Sequence, residues 1–287
     1  MNMALAIMID GVAYGMVLFV IAVGMSITMG LIRVVNLAHC GFAMMGGFAC
    51  AAFIGAGVRF ELAVVLAVLA TAAISVPLER VLLRRVYGRS ELDQALLTLG
   101  LVYVLIAGCN LLHGERVTEL PLPAYMTGPW TLLGLVFQRY RLVLIVAGAA
   151  LAGLIWLILE RSDYGLKVRA AVDNTSTAQT LGINTSFLYT SAFAFGSGLA
   201  AFGGILGSAL MPMEPSYALN YLVIVLAVVT VGGLGKIGGT FAAAVLLGVV
   251  DTAAKYLLPD AAATAFYLVM FAVLIVRPQG LFGRSLT

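Results

Sequence analysis

The chain has 287 residues, of which 62% are hydrophobic and only 10% charged, with a formal net charge of +3. Soluble domains carry about 25% charged residues, so a mean hydropathy of +1.08 excludes a surface that faces water all round. With no long basic stripe interleaved with aromatics, a nucleic-acid-binding module is also excluded.

One spanning helix takes roughly 20 residues, so the length allows about eight to ten spans. In chain order the apolar runs predict spans at 3–31, 40–57, 62–78, 94–113, 141–159, 185–210, 219–234, 240–257 and 263–276. The runs are continuous and do not alternate, which favours helices over a β-barrel. The expected fold is therefore all-α, a polytopic transmembrane helical bundle forming a single domain over 1–287. The first run lacks a basic flank and exceeds a signal peptide's apolar core, so it reads as a retained helix. The second is rich in glycine (Gly41, Gly46, Gly47, Gly55, Gly57) and short, consistent with a broken or re-entrant segment, and the last is short for a span. Cys40, Cys50 and Cys109 lie in apolar runs without metal-ligand spacing and read as small packing residues.

Lysine and arginine set the orientation. With loop 79–93 in the cytoplasm and nine alternating spans, eleven of the sixteen basic residues, from Arg33 to Arg284, fall inside and five outside. The N-terminus is then expected outside and the C-terminus inside. The two longest loops are an outer one, 114–140, carrying Glu115, Arg116, Glu119, three prolines and Trp130, and an inner one, 160–185.

The inner loop carries two helix signals in series. Ser162 or Asp163 can cap a short helix through Val172, with Lys167 and Arg169 on it. Asp173, Asn174 or Thr175 can cap a second through Leu181, with Gly182 as its stop. Leu166, Ala170 and Val172 lie among the charges, so the loop is amphipathic yet too polar to insert. It reads either as a connection resting on lipid phosphates or as a surface gripped by another protein.

Polar residues in the spans are costly. Asn36 and His39, near the inner end of the first helix, read either as a gate or path lining or as capping and interhelix hydrogen bonds. Asp251 and Lys255 stand i, i+4 and are expected to pair rather than relay protons. Asn110 and His113 read as interfacial, and Asp10 receives no role. Gly11 and Gly15 form a G-x-x-x-G, and Gly196, Gly198, Gly203, Gly204 and Gly207 stud the sixth span. Close helix packing is the first reading of both, with hinges as the alternative. The stretch Gly232-Gly-Leu-Gly-Lys236 fails as a phosphate loop, because Thr230 replaces the first glycine and Ile237 follows the lysine.

A stand-alone, ion-driven transporter would need a charged site near the middle of a span, and none is evident. A membrane enzyme would need a catalytic cluster, and His39 and His113 belong to no such motif.

Five segments carry a resemblance: Gly30-Leu-Ile-Arg-Val-Val-Asn-Leu-Ala-His39; Arg84-Arg-Val-Tyr-Gly-Arg89 followed by Leu97-Thr-Leu-Gly100; Tyr164-Gly-Leu-Lys-Val-Arg-Ala-Ala-Val-Asp-Asn174 with Ala178-Gln-Thr-Leu-Gly-Ile-Asn184; Gly232–Gly239; and Arg277-Pro-Gln-Gly-Leu-Phe-Gly283. In this order they resemble the permeases of branched-chain amino acid ABC transporters, the LivH/LivM type, closest to LivH. The resemblance implies a bacterial inner-membrane subunit, not itself an enzyme and binding no cofactor or metal. It implies pairing with a second homologous permease, two cytoplasmic ATPase subunits and a periplasmic solute-binding protein, and import of branched-chain amino acids or, in relatives, urea or short amides. It also implies an ATPase-coupling role for the inner loop, through Tyr164, Gly165, Lys167, Arg169, Ala170, Asp173, Asn174, Leu181 and Gly182. One position departs from the pattern: the family commonly has glycine after the motif histidine, and here Cys40 stands there, so the local turn must differ if the backbone needs a glycine conformation at that position.

Overall fold

The structure, a computed structural model, describes residues 3–32, 34–114, 116–132 and 135–282. Arg33, Glu115, Gly283 and Arg284, used above, lie outside the described residues. Among the described residues nine long helices occupy the positions of the nine apolar runs: α1 (Met3–Ile32), α2 (His39–Gly55), α3 (Phe60–Val81), α4 (Glu91–His113), α5 (Arg139–Arg161), α8 (Thr185–Gly207), α9 (Tyr217–Gly232), α10 (Ile237–Leu257) and α11 (Ala262–Val276). Two short helices, α6 (Asp163–Asp173) and α7 (Thr175–Thr180), occupy the inner loop. The outer loop holds a short antiparallel pair, β1 (Pro129–Leu132) and β2 (Leu135–Gln138), with Trp130 opposite Phe137. Trp130, Thr131, Val136 and Phe137 at the centre of the pairing are of the aromatic and β-branched types that strands favour.

Among the described residues seven helical segments are long and apolar enough to cross a membrane, α11 reaching that length together with the 3-10 turn at 259–261. The other two, α2 and α9, have 17 and 16 residues. Each continues into irregular chain buried in the bundle: Val34, Asn36 and Ala38 before α2, and Met211 and Met213 before α9. Non-helical backbone is tolerated at membrane depth only under such protein cover.

The long helices alternate in direction, so α1 begins at one end of the bundle and α11 finishes at the other. The finishing end also holds α6, α7 and the α3–α4 connection.

Helix α1 is the axis. In its most apolar stretch 83% of residues are buried, against 17% in α5 and 11% in the α11 segment. It packs on α10, α8, α5 and α9. Large apolar side chains such as Leu69, Val104, Val146 and Ile275 point outward from α3, α4, α5 and α11, which suits a hydrocarbon surround.

Lipid gives apolar surfaces no drive to leave it, so packing depends on close approach. A Cβ at Gly24 would lie 2.5 Å from the carbonyl oxygen of Gly196, and one at Gly248 would lie 2.6 Å from Cα of Gly15. Gly15, Gly24, Gly196 and Gly248 therefore sit where backbones touch. At the starting end, Asp10 pairs with Arg141 at 2.7 Å and accepts from the Tyr256 hydroxyl at 2.8 Å, tying α1, α5 and α10 together. Asp251 and Lys255 pair at 2.6 Å within α10. The three cysteines are free and buried, as their apolar runs suggest.

Candidate functional site: the two short helices and the unwound segment after the first helix

Both short helices start where their polar caps predict. The Ser162 hydroxyl accepts from the Gly165 amide at 3.2 Å, and Asn174 Oδ1 accepts from the Thr177 amide at 3.0 Å. Gly182 follows Leu181 with φ +82°, the left-handed stop that glycine supplies. Gly165 is buried, and a Cβ there would overlap the Leu159 carbonyl, so α6 folds directly back on the end of α5. The Arg169 guanidinium reinforces that corner by donating to the Leu159 carbonyl and to Glu160.

The two helices divide their faces. Ala171 and Ala178 pack with Leu31, Leu188 and Ala192 in a small core at the ends of α1 and α8, bordered by half-buried Tyr164, Val168 and Val172. Ala170 is also half-buried, while Lys167, Arg169, Asp173, Asn174 and Gly182 are exposed. Leu166 is 61% exposed and Leu181 75%. Side-chain hydrogen bonds fasten the pair to α8: Tyr164 to Ser191 at 3.1 Å, Thr175 to the Tyr189 hydroxyl at 3.3 Å, and Gln179 to Thr185 at 2.8 Å. Burial raises the Tyr164 phenol pKa above its usual value and outweighs the opposing bond to Ser191, so it stays protonated.

The segment between α1 and α2 is the second feature. Asn36 and His39 are each 1% exposed. Asn36 Oδ1 accepts from the Ala38 amide at 3.1 Å, turning the chain into α2. Its Nδ2 has no partner among the described residues. His39 Nε2 lies 2.8 Å from the Ile21 carbonyl of α1. Cys40 lies within regular helix, fully buried, so no glycine backbone is required there.

The unwound backbone is satisfied by α4. The Val35 amide donates to Gln94 Oε1 at 3.1 Å, and the Leu37 amide to Thr98 Oγ1 at 3.2 Å. Gln94 Nε2 in turn holds the Val86 and Arg89 carbonyls. Sequence reasoning missed Gln94 as a site residue, and missed Glu79. The apolar pattern places the latter in loop 79–93, but α3 continues past Pro77 to Val81 and buries it. The available signal was an acid and an amide beside apolar runs, each in need of a partner.

The quoted segments, scattered along the sequence, converge at this end. Gly30 has no room for a Cβ against Gly235, and Gly280, at φ +81°, abuts Gly233 and the Thr230 carbonyl. The Leu281 amide donates to the Val231 carbonyl at 2.7 Å. A groove of about 870 Å³ lies between α5, α6 and the start of α10, with Arg169, Asp173 and Lys236 on its polar side and Trp156 and Phe241 on its apolar side. The stretch 232–239 is thus a tight α9–α10 turn rather than a phosphate loop.

These features define a class: a polytopic helical membrane protein with a two-helix appendage on one end of its bundle. Among known proteins, the family described as "Branched-chain amino acid transport system / permease component" matches residues 7–277. The chain is 25% identical to the high-affinity branched-chain amino acid transport system permease protein LivH of Salmonella typhimurium, over 96% of this chain and 94% of that one. It is 24% identical to the permease protein BraD of Pseudomonas aeruginosa, over 96% and 95%. A solved structure, PsaBC from Streptococcus pneumoniae in complex with Fab, aligns with 93% of this chain and 89% of its own at TM-score 0.49 and 14% identity.

The chain belongs to the branched-chain amino acid transport permease family. It is a multi-pass transport protein of the membrane.

Proposed function

We propose that this chain is the membrane-spanning subunit of an ATP-driven importer of branched-chain or related amino acids in the bacterial inner membrane. In this reading α6 and α7 face the cytoplasm, with the N-terminus periplasmic and the C-terminus cytoplasmic, as the basic residues favour. Two cytoplasmic ATPase subunits press on α6 and α7. A second homologous permease completes the path, and a periplasmic solute-binding protein delivers the cargo. ATP is bound and hydrolysed by the partners, since this chain has no phosphate loop of its own.

One observation carries the reading. Two capped helices stand outside the apolar bundle, expose Leu166, Lys167, Arg169 and Leu181, and are hydrogen-bonded to α8. A mere connection needs no such rigid platform, whereas a force-receiving one does. The largely apolar interior suits an aliphatic cargo better than a sugar. Selectivity would then rest mostly with the binding protein.

Pull-down in detergent with the candidate ATPase subunits tests the reading. Arg169→Glu reverses an exposed charge, and Gly182→Pro removes the left-handed stop. Each should weaken ATPase capture several-fold while the permease stays folded. Undiminished capture and transport by both variants would remove the coupling assignment.

A further inference from the structure

Glu79 is 1% exposed on the last turn of α3. Its Oε1 accepts from the Tyr87 hydroxyl at 2.7 Å, and its Oε2 from the Thr190 hydroxyl at 2.8 Å. No described cation lies within ion-pair distance of it. Taking a carboxylate out of water costs several kcal/mol, so for packing alone an apolar side chain would serve better. Two hydroxyl donors aimed at one carboxylate are strong, directional bonds. Here they come from separate elements, Thr190 from α8 and Tyr87 from the chain before α4. Burial and the bond to Glu79 both raise the Tyr87 phenol pKa, which keeps its proton in place to donate.

The same stretch of α8 holds the coupling helices. Tyr189 meets Thr175, and Ser191 meets Tyr164. Beside them the Arg84 guanidinium donates to the Ser186 hydroxyl, and the Tyr87 and Tyr189 rings meet edge to face at 6.0 Å. Residues 186–191 therefore grip α6 and α7 on one side and α3 with its following turn on the other. Helix α3 then runs along α8 and packs on α2.

We propose that Glu79 is a positioning residue for transport: it locks α3 to α8, so that displacing α6 and α7 moves both helices as one body. This rests on the coupling role of α6 and α7 proposed above.

The test uses the assembled transporter in proteoliposomes, reading leucine taken up per phosphate released. Glu79→Ala and Thr190→Val should each lower that ratio at least threefold while ATPase subunits still copurify and hydrolyse ATP. Glu79→Gln can accept through its carbonyl and donate through its amide, so it should keep at least half the ratio. An unchanged ratio in folded Glu79→Ala overturns the proposal.

If Glu79→Ala fails to fold, a bridge decides. In a background with Cys40→Ala, Cys50→Ala and Cys109→Ala, and with Glu79 left in place, Arg84→Cys on the turn after α3 and Ser186→Cys on α8 are joined by a short bifunctional thiol reagent. Helices that move as one body tolerate the bridge, with transport kept within twofold. Transport blocked by the bridge overturns the proposal. If no ATPase copurifies even with the unsubstituted chain, the functional reading itself falls and takes this inference with it.

Discussion

His39 Nε2 lies 2.8 Å from the carbonyl oxygen of Ile21, a residue eleven positions before the end of α1. A carbonyl only accepts, so Nε2 carries the proton. Eleven residues are roughly 16 Å along a helix axis, so α2 starts well inside the bundle and the unwound segment runs back along α1 to reach it. His39→Leu removes the donor and should cost about 1–3 kcal/mol, read as a lower midpoint of thermal unfolding in detergent. His39→Gln, which retains a donor amide, should recover part of the loss.

Gln94 and Thr98 cover the backbone of that segment. Gln94→Leu and Thr98→Val should each uncover one amide at membrane depth and cost about 1–3 kcal/mol. A maleimide probe at Leu37→Cys should then react faster than in the parent. Equal reactivity would mean that the segment is held by other contacts.

The sequence made most of the bundle readable. Nine apolar runs predict nine long helices, because lipid forces each run to satisfy its own backbone. The short helices were equally legible, since Ser162, Asn174 and Gly182 carry capping chemistry in residue type alone. The α1–α2 break was only hinted at by glycine content, because its partners, Gln94 and Thr98, lie some sixty residues away. Glu79 was hidden by helix α3 running past Pro77, a residue that normally signals an ending. The convergence of Gly30, Gly235 and Gly280 is a tertiary fact that no local pattern encodes.

Glycine contacts separate two classes of position. Gly24→Val would drive side-chain atoms into the backbone of Gly196 and should meet at least the roughly 1–3 kcal/mol of overpacking. Gly153→Ala meets nothing within 4 Å and should leave the yield of monodisperse protein unchanged. Size-exclusion profiles after a heat step compare the two directly.

The Asp251–Lys255 pair should respond asymmetrically. The Lys255 side chain is 59% exposed and Asp251 only 10%. Lys255→Met strands a poorly solvated carboxylate and should destabilise more than Asp251→Asn, which frees a lysine that reaches water. If the pair is structural, Asp251→Asn should also retain transport. Loss of transport in a stable Asp251→Asn variant would point instead to a proton-handling role.

Everything functional depends on which side of the membrane receives α6 and α7. Lys167→Cys in the cysteine-free background, probed with a membrane-impermeant maleimide, reads this directly. Labelling is expected in inside-out vesicles only, with protection there once the ATPase subunits are assembled. Labelling from the periplasmic face of intact spheroplasts would contradict it.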